Sequence, residues 1–209
     1  MAGGRSRYQI SAGPNFAGGY DWRMRMPKQF STKFFTIGHA TRPVTAFIEL
    51  LNEAEVRLVM DVRTAPRSRT NPQFDRDTLA DSLATFGIEY RHIASLGGLR
   101  PRQKEIAAST NAFWQNQSFH NYADYAMSRE FQSALDELRG LGHATSCAIM
   151  CECAEMLWWR CHRPIISDYL LAAGETVFHI LGPGHLEEAQ ITPAAKRTPD
   201  GVLIYPAEH

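Results

Sequence analysis

Past residue 33, short runs rich in β-branched and aromatic residues alternate with segments whose apolar positions recur every three or four residues. Residues 34–37 form the first such run, ending at Gly38 and His39, and in 44–54 the apolar residues Phe47, Ile48 and Leu51 fall at helical spacing. Residues 58–62 read as a second strand. After an arginine- and proline-rich loop, Asp75 suits the N-cap of a helix running through Phe86, which Gly87 ends. Residues 88–93 read as a third strand, and 96–118, with Gly97, Gly98 and Pro101 in a polar stretch, as a lid-like insertion holding a short helix. In 122–139 the positions Tyr122, Tyr125, Ala126, Phe131, Leu135 and Leu138 predict one continuous helix stopped by Gly140. Residues 145–153 give a fourth strand. Pro164 opens a helix through Ala173 that Gly174 terminates, 176–181 is a fifth strand, and 202–205 an edge strand. The pattern predicts an α/β fold: a Rossmann-like open, mainly parallel sheet of about five strands flanked by helices.

Composition adds boundaries to that picture. With 209 residues, 44% hydrophobic and 21% charged, the chain suits one folded domain, and no apolar run reaches the ~20 residues of a membrane span. Residues 1–32 are rich in Gly and Arg, lack an apolar period and contain Pro14 and Pro27, which predicts a flexible basic extension ahead of a single domain over 33–209. This start also lacks the apolar stretch and cleavage site of a secretory signal, so a cytoplasmic location is expected. The zero net charge hides an asymmetry: residues 1–33 hold six Lys/Arg against one Asp, leaving the rest mildly acidic. That is no overall case for nucleic-acid binding, although a local basic pocket is compatible with it. The four cysteines, Cys147, Cys151, Cys153 and Cys161, crowd into fifteen positions and read as reduced thiols rather than a disulfide framework.

In an open parallel sheet, ligands bind beyond the carboxyl ends of the strands, where strand order reverses. The residues at those ends are His39, then Asp61 and Arg63, then His92, then Cys153 and Glu155. Nearly all carry charge or move protons near neutral pH, and cysteine is a nucleophile or soft ligand. Alternation past the second strand puts Asp61 and Arg63 on one side, within pairing distance. Arg67, Ser68 and Arg69 follow, and guanidinium forks suit phosphate or carboxylate, so anion binding and a solvated loop with one structural Asp–Arg pair both stand as readings.

The segment 151–164 is the most unusual. Cys161 lies just before Pro164, at a helix N-terminus that favours a thiolate, with Arg160, His162 and Arg163 beside it and Glu155 as a nearby acid. Arg163 follows too closely for a cysteine-phosphatase loop, and adjacent Cys161 and His162 side chains diverge. Cys153, Cys161, His162 and His39 offer four metal ligands, without the paired spacing of structural zinc sites. Trp158 and Trp159 are placed to roof the pocket.

These motifs also carry a resemblance. Thr36-Ile37-Gly38-His39, Asp61-Val62-Arg63 with Pro66-Arg67-Ser68, Asn71-Pro72-Gln73-Phe74, Leu96-Gly97-Gly98, Phe119 with Tyr122-Ala123, and Cys153-Ala154-Glu155 with Trp158-Trp159-Arg160-Cys161-His162-Arg163 resemble, in this order, the bacterial family called domain of unknown function 488. The resemblance runs from about Phe34 to Tyr205 and implies a shared fold and polar site at His39, Asp61, Arg63, Cys153, Glu155, Cys161, His162 and Arg163, with no activity to carry over. Two positions depart from the pattern: Glu152 stands where an apolar strand residue is usual, and Ala189 near an expected histidine.

Three functional readings follow. The leading one is an enzyme acting on a phosphate-bearing ligand, a nucleotide or nucleic-acid component: Arg63, Arg67, Arg69 and Arg163 near the anion, Cys161 as nucleophile or anchor, Glu155 and His39 as acid–base groups, Asp61 orienting an arginine. The second is a non-catalytic nucleotide or nucleic-acid binding module, with Trp158 and Trp159 stacking a base. The third is a metal-dependent protein. No cofactor is assigned, and no membrane partner is expected.

Overall fold

The computed structural model describes residues 33–152 and 162–207. In chain order these form β1 (Lys33–Gly38), α1 (Val44–Glu53), β2 (Leu58–Asp61), α2 (Arg76–Ala84), β3 (Glu89–His92), α3 (Gln117–Ala126), α4 (Arg129–Ala144), β4 (Cys147–Cys151), α5 (Arg163–Ala172), β5 (Thr176–Gly182), β6 (His185–Glu188), β7 (Lys196–Arg197) and β8 (Leu203–Ile204). Short 3-10 turns occur at Pro72–Phe74 and Ala94–Leu96. The expected extension at 1–32 and the segment 153–161 lie outside the described residues.

Side-chain alternation sets the layers. In β1, Phe34 points to one face of the sheet and Phe35 and Ile37 to the other; in β4, Cys147, Ile149 and Cys151 oppose Ala148 and Met150. One face is covered by α1 and α2 through Phe47, Leu51, Leu79 and Leu83. The opposite face is covered by α3, α4 and α5 through Tyr122, Phe131, Leu138 and Leu170. The strand order is β3-β2-β4-β1-β5-β6, with the first five parallel and β6 antiparallel at the β5 edge. The α/β class and mainly parallel sheet are as the pattern predicts.

This order fixes where a crevice opens. The chain leaves β1 and β2 into helices on one face and leaves β4 toward α5 on the other, so the connections diverge on both sides of β4. A gap at the carboxyl ends of β2, β4 and β1 results.

Several elements differ from the sequence expectation. The helix expected over 122–139 is two helices: α3 ends at Ala126, and Ser128 caps α4 by accepting a hydrogen bond from Phe131 N at 3.3 Å. Gly140 does not stop α4, which continues to Ala144. Gly142 sits where a Cβ would run into the Phe34 ring, so close packing on β1 outweighs the ~1 kcal/mol propensity cost of a helical glycine. The insertion after β3 holds only the 3-10 turn at its start and no α-helix before Gln117. The expected edge strand at 202–205 is β8, which pairs with β7 in a separate two-stranded sheet. At the edge beside β5, β6 is exposed at all four positions and so has no apolar alternation to reveal it. No helix among the described residues is long and apolar enough to cross a membrane.

Candidate functional site

At the end of β2 the chain turns so that Arg63 folds back on Asp61. Arg63 Nε donates to Oδ1 at 2.9 Å and Nη2 to Oδ2 at 2.6 Å, while the backbone N–H of Arg63 donates to Oδ1 at 3.0 Å. A two-residue offset past an extended strand makes this local pairing available. Tyr90, on neighbouring β3, donates its hydroxyl to Asp61 Oδ2 at 2.6 Å, and Arg63 Nη2 also donates to the Phe74 carbonyl at 2.8 Å. Desolvation and the hydrogen bond to the Asp61 carboxylate push the Tyr90 phenol well up, so it stays a donor.

His39 completes the network from β1. Its Nδ1 lies 3.0 Å from the Ala40 carbonyl, which can only accept, so Nδ1 carries the hydrogen and Nε2 presents its lone pair to Arg63 Nη1 at 3.3 Å. Burial, with the Arg63 charge as a further cause, lowers the His39 pKa and keeps the ring neutral. The ring is stacked on Phe74 at 4.3 Å. From β3, His92 Nε2 donates to the Arg63 carbonyl at 2.8 Å. His39 and Asp61 have no solvent exposure and lie beneath the crevice, while Arg63, 5% exposed, is the member of this floor that reaches its surface.

Above the floor lies a cavity of about 390 Å³ lined by Arg63, Arg67, Gly98, Phe119, Glu152 and His162, together with Thr64, Ala65, Leu99 and Ser118. Four of the five Arg63 N–H groups serve Asp61, Phe74 and His39, which leaves one Nη1 hydrogen unengaged among the described residues, and the Arg63 side chain also lines the cavity. Two glycines permit this shape. A Cβ on Gly97 would collide with Thr64, and one on Gly98 would come within 2.5 Å of His162 Nδ1, so the loop after β3 packs this closely only as glycine. His162 also packs on Tyr122 at 4.9 Å between ring centroids.

The loop carrying Arg67 is held from below. Asp75 is the N-cap residue of α2, but its Oδ1 accepts the Ser68 N–H at 2.7 Å instead of a helix amide. Ser68 is thereby buried, while Arg67 stays exposed on the cavity wall. Arg69 is exposed and does not line the cavity.

The structure thus brings His39, Asp61, Arg63 and His92 into one network and sets Arg67 and His162 on the cavity above it. Arg163 opens α5 fully buried and is not on the cavity wall. Cys153, Glu155, Trp158, Trp159, Arg160 and Cys161 lie outside the described residues, so the thiol-bearing corner has no geometry here. Among the described residues no group of three or more His, Cys, Asp and Glu side chains could hold a metal, and the one lone pair of His39 is taken by Arg63. Sequence reasoning missed Tyr90 as the second donor to Asp61 and Phe74 as the ring under His39. Tyr90 had a signal: it sits on the strand paired with β2, whose register aligns Asp61 with His92 two residues on.

No curated protein and no solved structure matches the chain. One family model does: that of Domain of unknown function DUF488, over residues 43–170, a span from the start of α1 through most of α5 that takes in Asp61, Arg63, Arg67, Gly98 and His162.

Proposed function

Since the chain belongs to the family Domain of unknown function DUF488, which brings a fold but no activity, we propose from the site itself that the strand-end crevice binds a small phosphate-bearing molecule of mononucleotide size and acts on it. The observation that carries this reading is the cavity of about 390 Å³ whose polar wall includes Arg63, Arg67 and His162 together with one carboxylate, Glu152, and whose apolar wall is Phe119, Leu99 and Ala65. Its volume falls in the range of small-molecule sites. The cationic wall suits a phosphate, and the aromatic wall suits the organic body it is attached to.

The charges divide the work. Arg63 is neutralised by Asp61, so its role is to present one N–H in a fixed direction, whereas Arg67, with no ion pair among the described residues, brings a guanidinium that reaches out to the anion. His162 supplies a second polar contact from the start of α5. Neutral, enclosed His39 serves Arg63 as a positioning residue in this reading. The chemical step falls to Cys161 as nucleophile and Glu155 as acid–base group, on the chemistry of a thiol preceding a helix N-terminus.

Titration with AMP and with adenosine tests the binding half. AMP binds saturably and adenosine at least tenfold more weakly; Arg67→Ala lowers AMP affinity about tenfold, or ~1.4 kcal/mol, near the lower end of what a hydrogen bond to a charged group contributes. Equal binding of adenosine and AMP would sink the anion assignment. Cys161→Ser tests the catalytic half: AMP affinity stays and turnover of a phosphate ester is lost. A variant that turns over normally takes the chemical step away from Cys161, and an unsubstituted protein that binds AMP without turning over any phosphate ester makes the site a binding module.

A further inference from the structure

The loop after β3, residues 94–100, is gripped by its carbonyls. From α3, the Tyr125 hydroxyl donates to the Ser95 carbonyl at 2.8 Å, the Tyr122 hydroxyl to the Leu96 carbonyl at 2.8 Å, and Asn121 Nδ2 to the Arg100 carbonyl at 3.2 Å. Arg100 turns back on its own loop: Nε donates to the Gly97 carbonyl and Nη2 to the Ala94 carbonyl, each at 2.8 Å. Its guanidinium lies over the Tyr125 ring, 3.9 Å from the centroid, and Nη1 is 3.9 Å from the Glu130 carboxylate on α4. A planar fork holds two carbonyls in one fixed geometry, which a lysine ammonium on a flexible stem does not.

That grip sets the direction of one amide. The peptide bonds of the described residues are trans, so the C=O and N–H of the Gly97–Gly98 peptide point opposite ways. With the Gly97 carbonyl on Arg100, the Gly98 N–H points away from Arg100; Gly98 lines the strand-end crevice and Arg100 does not. The amides on either side are engaged, Gly97 N by the Ala94 carbonyl at 2.9 Å and Leu99 N by Thr64 Oγ1 at 3.2 Å. The Gly98 N–H has no hydrogen-bond partner among the described residues. A half-buried backbone donor in that position is open to an acceptor on a ligand.

The Leu99–Thr64 contact also ties this loop to the one after β2, so the Gly98 peptide and Arg67 belong to two loops latched together on one crevice. Resting on the reading that this crevice takes a phosphate, we infer that the Gly98 N–H is one of the donors that bind it, and that Arg100 is the residue that positions that donor. Hydrogen bonds from backbone N–H groups to an anion are among the strong ones, and a donor fixed before binding loses little freedom when the ligand arrives. Arg100 itself touches no ligand: its charge is spent on two carbonyls and the Tyr125 ring.

The test follows the Gly98 amide in assigned proton–nitrogen correlation spectra of the full chain. AMP moves that amide saturably to lower field, with the half-saturation found by titration, and adenosine leaves it in place. Arg100→Lys, which keeps the charge and loses the fork, lowers AMP affinity at least fivefold, leaves adenosine affinity unchanged and shrinks the Gly98 shift. Two results overturn the inference while the phosphate reading stands: AMP binds more tightly than adenosine but the Gly98 amide stays put or moves equally with both, or Arg100→Lys leaves the ratio of the two affinities as it was, whatever it does to the thermal midpoint. AMP that does not bind, or binds no better than adenosine, overturns both.

Discussion

Asp61 and Asp168 are both almost fully removed from solvent, and they are satisfied by different means. Asp61, at the end of β2, lies against a guanidinium and a phenol: Arg63 grips both its oxygens and Tyr90 donates a third contact. Asp168, on α5, has no cation partner among the described residues. Its oxygens accept from the neutral groups of Thr192 and Tyr205, with Thr192 N at 2.8 Å and Tyr205 OH at 3.1 Å, and burial pushes its pKa up to about 6. Full burial without a counterion disfavours the charged form, and two neutral donors recover only part of that cost. The comparison separates tasks. The paired carboxylate fixes the direction of an arginine beneath a cavity; the unpaired one ties the segment around Thr192 and Tyr205 to α5, with a strength that depends on pH.

The largest expected effect comes from breaking the first. Asp61→Ala leaves Arg63 buried and unmatched, and is expected to cost about 3–5 kcal/mol in denaturant unfolding. Replacing both partners with apolar residues, Asp61→Leu with Arg63→Met, recovers most of that loss. A single substitution as mild as the double one would show that the pair is no buried unit.

Next comes the pH dependence of Asp168. Its pKa in the folded protein, about 6, lies above the ordinary value of 3.8, so the folded state holds the proton more tightly. The stability this contributes is complete below about pH 4 and is lost as pH rises through 6, on the order of 3 kcal/mol. Asp168→Asn cannot titrate, so the stability gap between variant and wild type moves in the variant's favour by that amount between pH 4 and pH 7. A gap that stays flat across this window would remove the contrast between the two carboxylates.

Smaller effects sharpen the boundary between the floor and the rim of the crevice. Gly98→Ala pushes a methyl onto the His162 ring and is expected to cost about 1–3 kcal/mol, or to displace His162 and weaken AMP binding instead. Arg67→Ala touches no buried partner and is expected to change stability by less than about 0.5 kcal/mol while lowering AMP affinity about tenfold. If it destabilised the fold as much as Asp61→Ala, floor and rim would be one structure.

The same division explains what the sequence revealed. Apolar periodicity placed β1, α1, β2, β4, α5 and β5 because each buries a face, and the offset between Asp61 and Arg63 was readable because their pairing is local. Exposed β6 left no such trace. The break between α3 and α4 was hidden because Tyr122, Tyr125, Phe131 and Leu135 keep helical spacing across it, so periodicity carried straight over the cap at Ser128. Tyr90 and Phe74 reach the site from separate elements, and only the strand order joins them to His39 and Asp61. Gly97 and Gly98 were visible as a motif, but their reason, the close approach of Thr64 and His162, exists only in three dimensions.

The central claim, that the crevice beyond β2 and β4 takes a phosphate-bearing molecule above a fixed Asp61–Arg63–His39 floor, is tested most directly by a crystal structure of the protein grown with AMP. The expected result is a phosphate within hydrogen-bond distance of Arg67 and the free Arg63 Nη1 hydrogen, the base against Phe119, and Asp61, Arg63 and His39 unmoved. AMP bound elsewhere, or in the crevice with its phosphate turned away from Arg67 and Arg63, would contradict it.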